Sequence, residues 1–497
     1  MYYIGVDSGT QSTKAIIMEA ESGEIRGKAS KRYGLIQGLP PGHMEQHPEI
    51  WIRETLAAIR EALERSRIDP RHVEGIGVSG QQHGFVPLDR EGRVIRPAKL
   101  WNDTSTTSEC EIIMNRLGGP QETIKLVGNP MLPGYTAPKI LWLKNNEPHN
   151  YARLDTVLLP HDYINYMLTD VAVMEYGDAS GTILMDVKTR TWSDPVIEVI
   201  DPDLKEKLPP LHPSDKPVGY LSEKAAHSLN LSTDVLVSSG GGDNMMAAIG
   251  TGNTSPGKVT VSLGTSGTVY AYSDTPVIDP VGEVAAFCDS TNHWLPMVCT
   301  MNVTVATELV RNLFKQSYNE LEENLLASTL GAGGLLFLPY LTGERTPSMP
   351  DSKAVLYGLT PSNYTEADIT RTTVEGVTLG LNYGLNRMRE LGIDPKEIRL
   401  TGGASRNKTW AQICADIFDT PVVRFRESEG AALGAAIQAL WCHEHQDGAD
   451  EEIGELTNRL VVVDESTRLK PHKDNAEIYR KIQRRHDKLR DNIFREN

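Results

Sequence analysis

The chain has 497 residues, more than one ordinary hydrophobic core organises, so two domains of roughly 200–250 residues each are expected. Hydrophobic residues at 39% and charged residues at 23% give an ordinary soluble balance, and a formal net charge of −16 repels polyanions and argues against nucleic-acid binding. The five cysteines (Cys110, Cys288, Cys299, Cys414, Cys442) contain no C-x-x-C pair, which gives no zinc or redox motif and suits a reducing compartment. Met1 runs directly into Tyr2–Val6 without a basic leader, and the most apolar stretch, Gly331–Leu341, is far short of the ~18 residues a membrane span needs. A cytoplasmic protein without a membrane partner is expected.

In chain order, Ile4–Val6 and Ala15–Met18 read as strands, and Pro48–Arg65 as a helix with Trp51, Leu56, Ile59 and Leu63 at helical spacing. Val73–Val78, Leu236–Ser239, Val259–Leu263 and Ile398–Thr401 read as further strands entering Gly-rich turns, and Val269–Tyr272 as the strand that follows one, an α/β alternation. Ile369–Glu390 and Thr409–Phe418 read as helices. The charged segment Asn475–Arg495 reads as a solvated surface helix. Gly250–Gly257 has the composition of a turn-rich connector, which places a boundary near residues 245–257.

The run Val6-Asp7-Ser8-Gly9-Thr10-Gln11-Ser12-Thr13 can be laid over Val261-Ser262-Leu263-Gly264-Thr265-Ser266-Gly267-Thr268, two copies about half a chain apart. In such a turn a glycine lets the backbone approach a ligand, and successive N–H groups form an anion-binding concavity. Thr10, Ser12 and Thr13 add hydroxyl donors. Asp7 alone would repel phosphate, so it implies an intervening Mg²⁺. A plain tight hairpin is the alternative. Neither a Walker loop nor a Rossmann fingerprint is present.

Gln81-Gln82-His83-Gly84 follows a strand and offers polar side chains to a polyol, and Trp101-Asn102-Asp103 offers an aromatic, an amide and an acid, although an Asx-turn explains that segment nearly as well. Ser239-Gly240-Gly241-Gly242-Asp243-Asn244 ends at the start of a small-residue helix. Asp243 there is either an N-cap or a functional acid, and a cap needs no triple glycine before it. Thr401-Gly402-Gly403-Ala404-Ser405-Arg406-Asn407 opens another strand-to-helix turn, able to admit adenine or ribose.

These motifs, with Tyr135–Trp142 and Gly343-Glu344-Arg345-Thr346-Pro347 in the same order, resemble the FGGY carbohydrate kinases of the actin-like ATPase superfamily, from Tyr3 to about Trp441. Within that family the likeness is greatest to xylulose kinases. The Arg that many of the bacterial members carry after Trp-Asn-Asp is replaced here by Thr104-Ser105-Thr106-Thr107. The resemblance implies an α/β fold of two ribonuclease-H-like domains around a cleft, residues 1–250 mainly binding sugar and residues 251–497 mainly binding ATP. It implies ATP-dependent phosphorylation of D-xylulose, with ribulose, another ketose or polyol, or gluconate as alternative substrates. A chaperone- or actin-like conformational ATPase is the alternative from another class. Asp243 is the implied base, helped by Asp7, and Mg²⁺ is expected at Asp7 and Asp243. Gln82, His83, Asp103, Asp243 and Asn244 are the implied sugar contacts. Gly9, Thr10, Gln11, Ser12, Gly264, Thr265, Ser266, Gly402, Gly403, Ala404 and Asn407 are the implied nucleotide contacts. A homodimer is left open.

Overall fold

The computed structural model describes residues 1–426 and 429–494. Strands β1 (Tyr2–Ser8), β2 (Ser12–Glu19) and β3 (Ile25–Arg32) form an antiparallel meander, with β4 (Val73–Gly80) parallel to β1 and β5 (Leu236–Ser238) parallel to β4. The order is β3-β2-β1-β4-β5. Strands β6 (Lys258–Leu263), β7 (Gly267–Ala271), β8 (Met297–Thr300), β9 (Glu397–Thr401) and β10 (Val422–Phe425) repeat it as β8-β7-β6-β9-β10, again a meander followed by two parallel strands. The short sequence repeat is therefore the trace of two sheets with one topology. Both are ribonuclease-H-like.

The strands read as nearly continuous apolar runs because both faces of the sheet are covered. On one face Ile4, Val6, Ile17, Ile76 and Val78 pack with Trp51, Ala58 and Ile59 of helix α1 (Pro48–Ser66), which has Pro in its first turn. Between β4 and β5 the chain includes α2 (Pro160–Thr169) and α3 (Tyr176–Ser180). After β5 comes α4 (Asp243–Gly250). The second half adds α5 (Glu366–Glu390), α6 (Lys408–Phe418), α7 (Gly430–Gln446) and α8 (Lys473–Phe494).

Helix α7 follows the second sheet yet lies on the other face of the first, where Ala432, Ala436 and Leu440 pack with Tyr3, Ile16 and Met18. The approach is backbone to backbone. A Cβ on Gly5 would stand 1.8 Å from the Ala432 carbonyl oxygen, and one on Gly77 would stand 1.9 Å from that of Ala435. Where α4 meets α7, Gly250 and Gly434 have as little room, 1.7 Å from the Gly430 oxygen and 1.8 Å from the Met246 oxygen.

Two expectations change. Helix α8 is not a solvated surface helix: Ala476, Tyr479, Ile482, Gln483, His486 and Arg490 are buried. Tyr479 donates to Glu375 Oε1 (2.7 Å), and Asn382 of α5 donates to Gln483 (3.0 Å), so a polar docking stripe is hidden in a charged composition. Arg495, its expected last residue, lies outside the described residues. The segment after Gly250 contains neither helix nor strand, yet Thr251, Asn253 and Thr254 are buried, with Asn253 Nδ2 donating to the Tyr270 carbonyl (2.9 Å). It is an interior seam. No described helix is long and apolar enough to cross a membrane.

Gly77→Ala is expected to lower unfolding free energy by about 3 kcal/mol, the upper part of the overpacking range, because its neighbour is backbone and cannot swing away. Gly34→Ala, with nothing within 4 Å of its added Cβ, is expected to stay within about 0.5 kcal/mol. Denaturant titration of both variants checks this, and equal losses would contradict the close helix–sheet contact.

Candidate active site

The turn between β1 and β2 closes with Gly9 N–H donating to the Ser12 carbonyl (3.0 Å). A Cβ on Gly9 would meet nothing closer than the Ser12 oxygen at 3.7 Å, so the backbone there faces open space. Thr10 Oγ1 is committed: it donates to Gln81 Oε1 (2.9 Å) and accepts from Trp101 Nε1 (3.0 Å). It thereby ties the turn to both other polar segments of the first half. Gln11 is exposed and Ser12 half-buried. Thr13 departs from its expected role, since it is fully buried and its hydroxyl is bonded to Ser8 and Tyr33. Odd and even strand positions point to opposite faces, and Thr13 points inward.

Asp243 is the first residue of α4, and its N-cap is Gly242. Its Oδ1 accepts from the Asn244 N–H (2.8 Å) and from Asn244 Nδ2 (3.0 Å). Asn244 Nδ2 also donates to Gln82 Oε1 (2.9 Å), while Gln82 Nε2 is buried with no partner. Burial, then the nearby carboxylates of Asp7 and Asp178, push the Asp243 carboxyl up to about 7. Asp7, half-buried and bonded by Ser79 Oγ (3.2 Å), is likewise raised by burial, with Lys14 opposing.

The triple glycine has a packing cause. A Cβ at Gly240 would press on the Val78 oxygen and His161, one at Gly241 on Ser290 Oγ (2.2 Å), and one at Gly242 on Gln82. Gln438 of α7 grips this loop, accepting from Ser238 Oγ (2.9 Å) and Gly240 N–H (2.8 Å) and donating to the Gly240 and Ser290 carbonyls (3.1 Å each). Below it, His161 of α2 lies between Asp178 of α3 (2.6 Å) and Asp162 (3.0 Å). Burial alone would depress that imidazole, but the two acids raise it to about 9, which keeps it cationic.

His83 has φ +62, stacks edge-on against Tyr135 (4.9 Å between centroids) and lies 5.7 Å from Phe287. Burial, then Lys139 and Arg345, push its imidazole down to about 3, so it is neutral at physiological pH. Lys139, from the Tyr135–Trp142 signature, donates to the carbonyls of His83 (2.7 Å) and Gly134 (2.6 Å) and holds the polar loop in place.

Asp103 is fully buried and saturated, its carboxylate accepting from Met44 N–H (2.9 Å), Ser105 N–H (3.0 Å), Ser105 Oγ (2.5 Å) and Lys99 Nζ (3.2 Å). It sits in the Asx-turn arrangement and presents no oxygen to the cleft, because Lys99, itself fully buried, needs its charge. The ligand atoms of His43, Glu45 and Asp103 lie within 4.8 Å of one another, as a metal site would require. Lys99 Nζ, 3.2 Å from each of the three residues, already occupies that centre.

In the second half, Gly264 N–H donates to the Ser266 carbonyl (3.1 Å), a turn one residue shorter than its counterpart, with Thr265 and Ser266 exposed. Gly402 (φ +82) passes so close to Leu263 that a Cβ would be 2.5 Å from its oxygen, while Gly403 faces open space. Ala404 is half-buried. Asn407 caps α6, accepting from Trp410 N–H (2.7 Å).

The profile of the FGGY family of carbohydrate kinases, N-terminal domain, matches residues 2–250, and that of the C-terminal domain matches residues 259–443. This chain belongs to the FGGY family of carbohydrate kinases. It is 39% identical to a xylulose kinase of Haemophilus influenzae, covering 97% of this chain and 98% of that protein, and 36% identical to one of Bacillus subtilis, covering 91% of each. Among solved structures it is similar to a xylulose kinase from Bifidobacterium adolescentis, at TM-score 0.82 and 29% identity over 97% of this chain and 99% of that one. Gln438 and His161, which fix the loop before Asp243, lie in no motif of the sequence, whereas Lys139 lies in the Tyr135–Trp142 run.

Asp103→Ala leaves the buried Lys99 with Glu45, itself shared with Arg96, as its one remaining carboxylate among the described residues. A loss of about 3–5 kcal/mol in unfolding free energy is expected, as for other broken buried ion pairs. Chemical denaturation measures it, and a loss below about 1 kcal/mol would contradict the structural role.

Proposed function

We propose that this kinase transfers the γ-phosphoryl group of ATP to the terminal hydroxyl of D-xylulose, giving D-xylulose 5-phosphate and ADP in the cytoplasm. The observation that carries the reading is the chain Asp243–Asn244–Gln82, which ends in a buried donor, Gln82 Nε2, without a partner. A buried N–H left unpaired costs about 1–3 kcal/mol, so the site is built for an acceptor that arrives with the substrate. Beside it, the neutral His83 ring can both accept from and donate to hydroxyls. The names of the Haemophilus and Bacillus relatives support D-xylulose as the ketose.

Asp243, poised near neutrality by burial and by Asp7, accepts the proton of the sugar hydroxyl as that oxygen attacks phosphorus. The O–P bond forms, the bond from the γ-phosphorus to the bridging oxygen breaks, and that oxygen keeps the electron pair on ADP. Gly9–Ser12 and Gly264–Ser266 approach the phosphates from opposite sides, and Gly402, Gly403 and Ala404 leave room for the nucleoside. Residues 1–250 thus mainly hold sugar and residues 251–497 mainly ATP. Two half-buried carboxylates of like charge, Asp7 and Asp243, fit a hard divalent cation held directly or through water. Mg²⁺ there would neutralise phosphate charge.

Asp243→Asn is expected to lower kcat by about 10²–10⁴ while ATP binding, followed by calorimetry, stays near wild type. Near-normal turnover would remove Asp243 from the role of base. In a coupled ADP-release assay over a sugar panel, D-xylulose is expected to exceed D-ribulose, its C3 epimer, by at least about tenfold in kcat/KM, and Gln82→Ala is expected to erode that preference. A better rate with ribulose or gluconate would reassign the sugar. ATP hydrolysis with no sugar phosphorylated would favour the conformational ATPase.

A further inference from the structure

The cleft gathers Asp7 and Asp243, with Asp178 buried beneath them, and the nucleotide adds more negative charge. Among the described residues, two basic groups near this space are already committed: Lys139 to two carbonyls and Lys14 to Glu429 (3.4 Å). Arg345 is different. It is exposed, and among the described residues it forms no ion pair with a carboxylate.

Its placement is imposed by a chain of hydrogen bonds that begins at the second phosphate turn. Val303 N–H donates to the Thr265 carbonyl (3.1 Å) and Thr304 N–H to that of Gly264 (3.0 Å). The preceding residues of the same segment hold Glu344: Met301 N–H donates to its Oε1 (2.6 Å) and Asn302 Nδ2 to its Oε2 (3.0 Å). Asn302 Nδ2 also donates to the Gly343 carbonyl (2.8 Å). Glu344 is buried, and its Oε1 also accepts the Arg345 N–H (2.8 Å), so the backbone at Arg345 is bolted to the turn while its side chain, beside the Cys299 thiol, makes no ion pair among the described residues.

It projects across the cleft. The guanidinium lies 5.9 Å from the centre of the Trp101 ring, in the first half of the chain, and Trp101 Nε1 donates to Thr10 Oγ1 (3.0 Å) in the first phosphate turn. The charge of Arg345 also reaches His83 and Tyr135, at the polar loop. One cation therefore stands between the two turns that bracket the phosphates, beside the sugar's side chains.

We propose that Arg345 is a catalytic residue that donates to the non-bridging oxygens of the γ-phosphoryl group during transfer. This rests on the sugar-kinase reading above. A planar guanidinium with several N–H donors matches the equatorial oxygens of the transferring group, whose charge Asp7 and Asp243 do not compensate and the committed Lys139 and Lys14 do not reach as donors. Trp101 parks the guanidinium by a cation–π contact until ATP arrives. Because the anchor is Glu344 in the second half and the parking ring is in the first, the contact to phosphate also requires the two halves to be closed on one another.

The test uses the full chain and three variants, Arg345→Ala, Arg345→Lys and Trp101→Phe. With D-xylulose and ATP, Arg345→Ala is expected to lower kcat by about 10²–10³, as for loss of a preorganised donor to a developing charge. Calorimetric affinity for D-xylulose alone should stay within about threefold. Arg345→Lys is expected to fall between wild type and Ala. Millimolar guanidinium chloride should restore part of the Ala variant's kcat and none of the wild type's. Trp101→Phe, which keeps an aromatic face but loses the bond to Thr10, should disturb kcat less than Arg345→Ala. Retained kcat in Arg345→Ala, loss of sugar affinity with kcat unchanged, or no rescue by guanidinium would each overturn the proposal. If wild type prefers another sugar, the D-xylulose assignment fails by itself, and the same variants on that sugar still decide the role of Arg345.

Discussion

Everything in this molecule is referred to one contact, the bare-backbone seating of α7 on the first sheet and on α4. Four glycines, Gly5, Gly77, Gly250 and Gly434, permit it, and at each an added methyl group would fall within 2 Å of a carbonyl oxygen. Interiors are packed too densely to absorb such an atom. The consequence is that a helix belonging by topology to the second half becomes part of the first half's core. The two sheets cannot be positioned independently of one another, and the start of α4, where Asp243 sits, is fixed at the seam.

The same helix sets the chemistry. Gln438 takes both polar groups of Gly240 and so fixes the loop that delivers Asp243. Next to the loop, the His161 cation compensates Asp162 and Asp178, which would otherwise add two uncompensated charges beneath an already acidic cleft. Burial, Asp7 and Asp178 lift the Asp243 carboxyl towards neutrality, the condition that the general base proposed above needs. Buried ionic groups are costly, and here their cost is spent on the geometry of one side chain.

Much of this was legible in the sequence, and for physical reasons. Strands flanked by glycine turns announce themselves by composition, and the duplicated Asp/Ser-x-Gly-Thr run reflects two sheets of identical order. What composition hides is partnership. The charged C-terminal segment reads as solvated because its buried stripe joins Ala476 and Ile482 to the polar Tyr479, Gln483, His486 and Arg490. Asp103 stands in a sugar-like motif but serves Lys99, a lysine whose burial no local pattern betrays. The three glycines before Asp243 exceed what a cap needs because they make room for His161, Ser290 and Gln82. Thr13 was placed among the phosphate donors although strand alternation turns it inward. Long-range pairs such as Arg345 with Trp101 leave no signal in a single chain at all.

In the proposed reaction, sugar and nucleotide meet between the halves at Asp243. The most direct measurement is a crystal structure of the chain with D-xylulose and a non-hydrolysable ATP analogue. The sugar's terminal hydroxyl oxygen is expected about 2.6–3.2 Å from an Asp243 carboxylate oxygen, with another sugar oxygen accepting from Gln82 Nε2. A sugar bound away from Asp243, or a Gln82 amide still unpaired in the ternary complex, would contradict it.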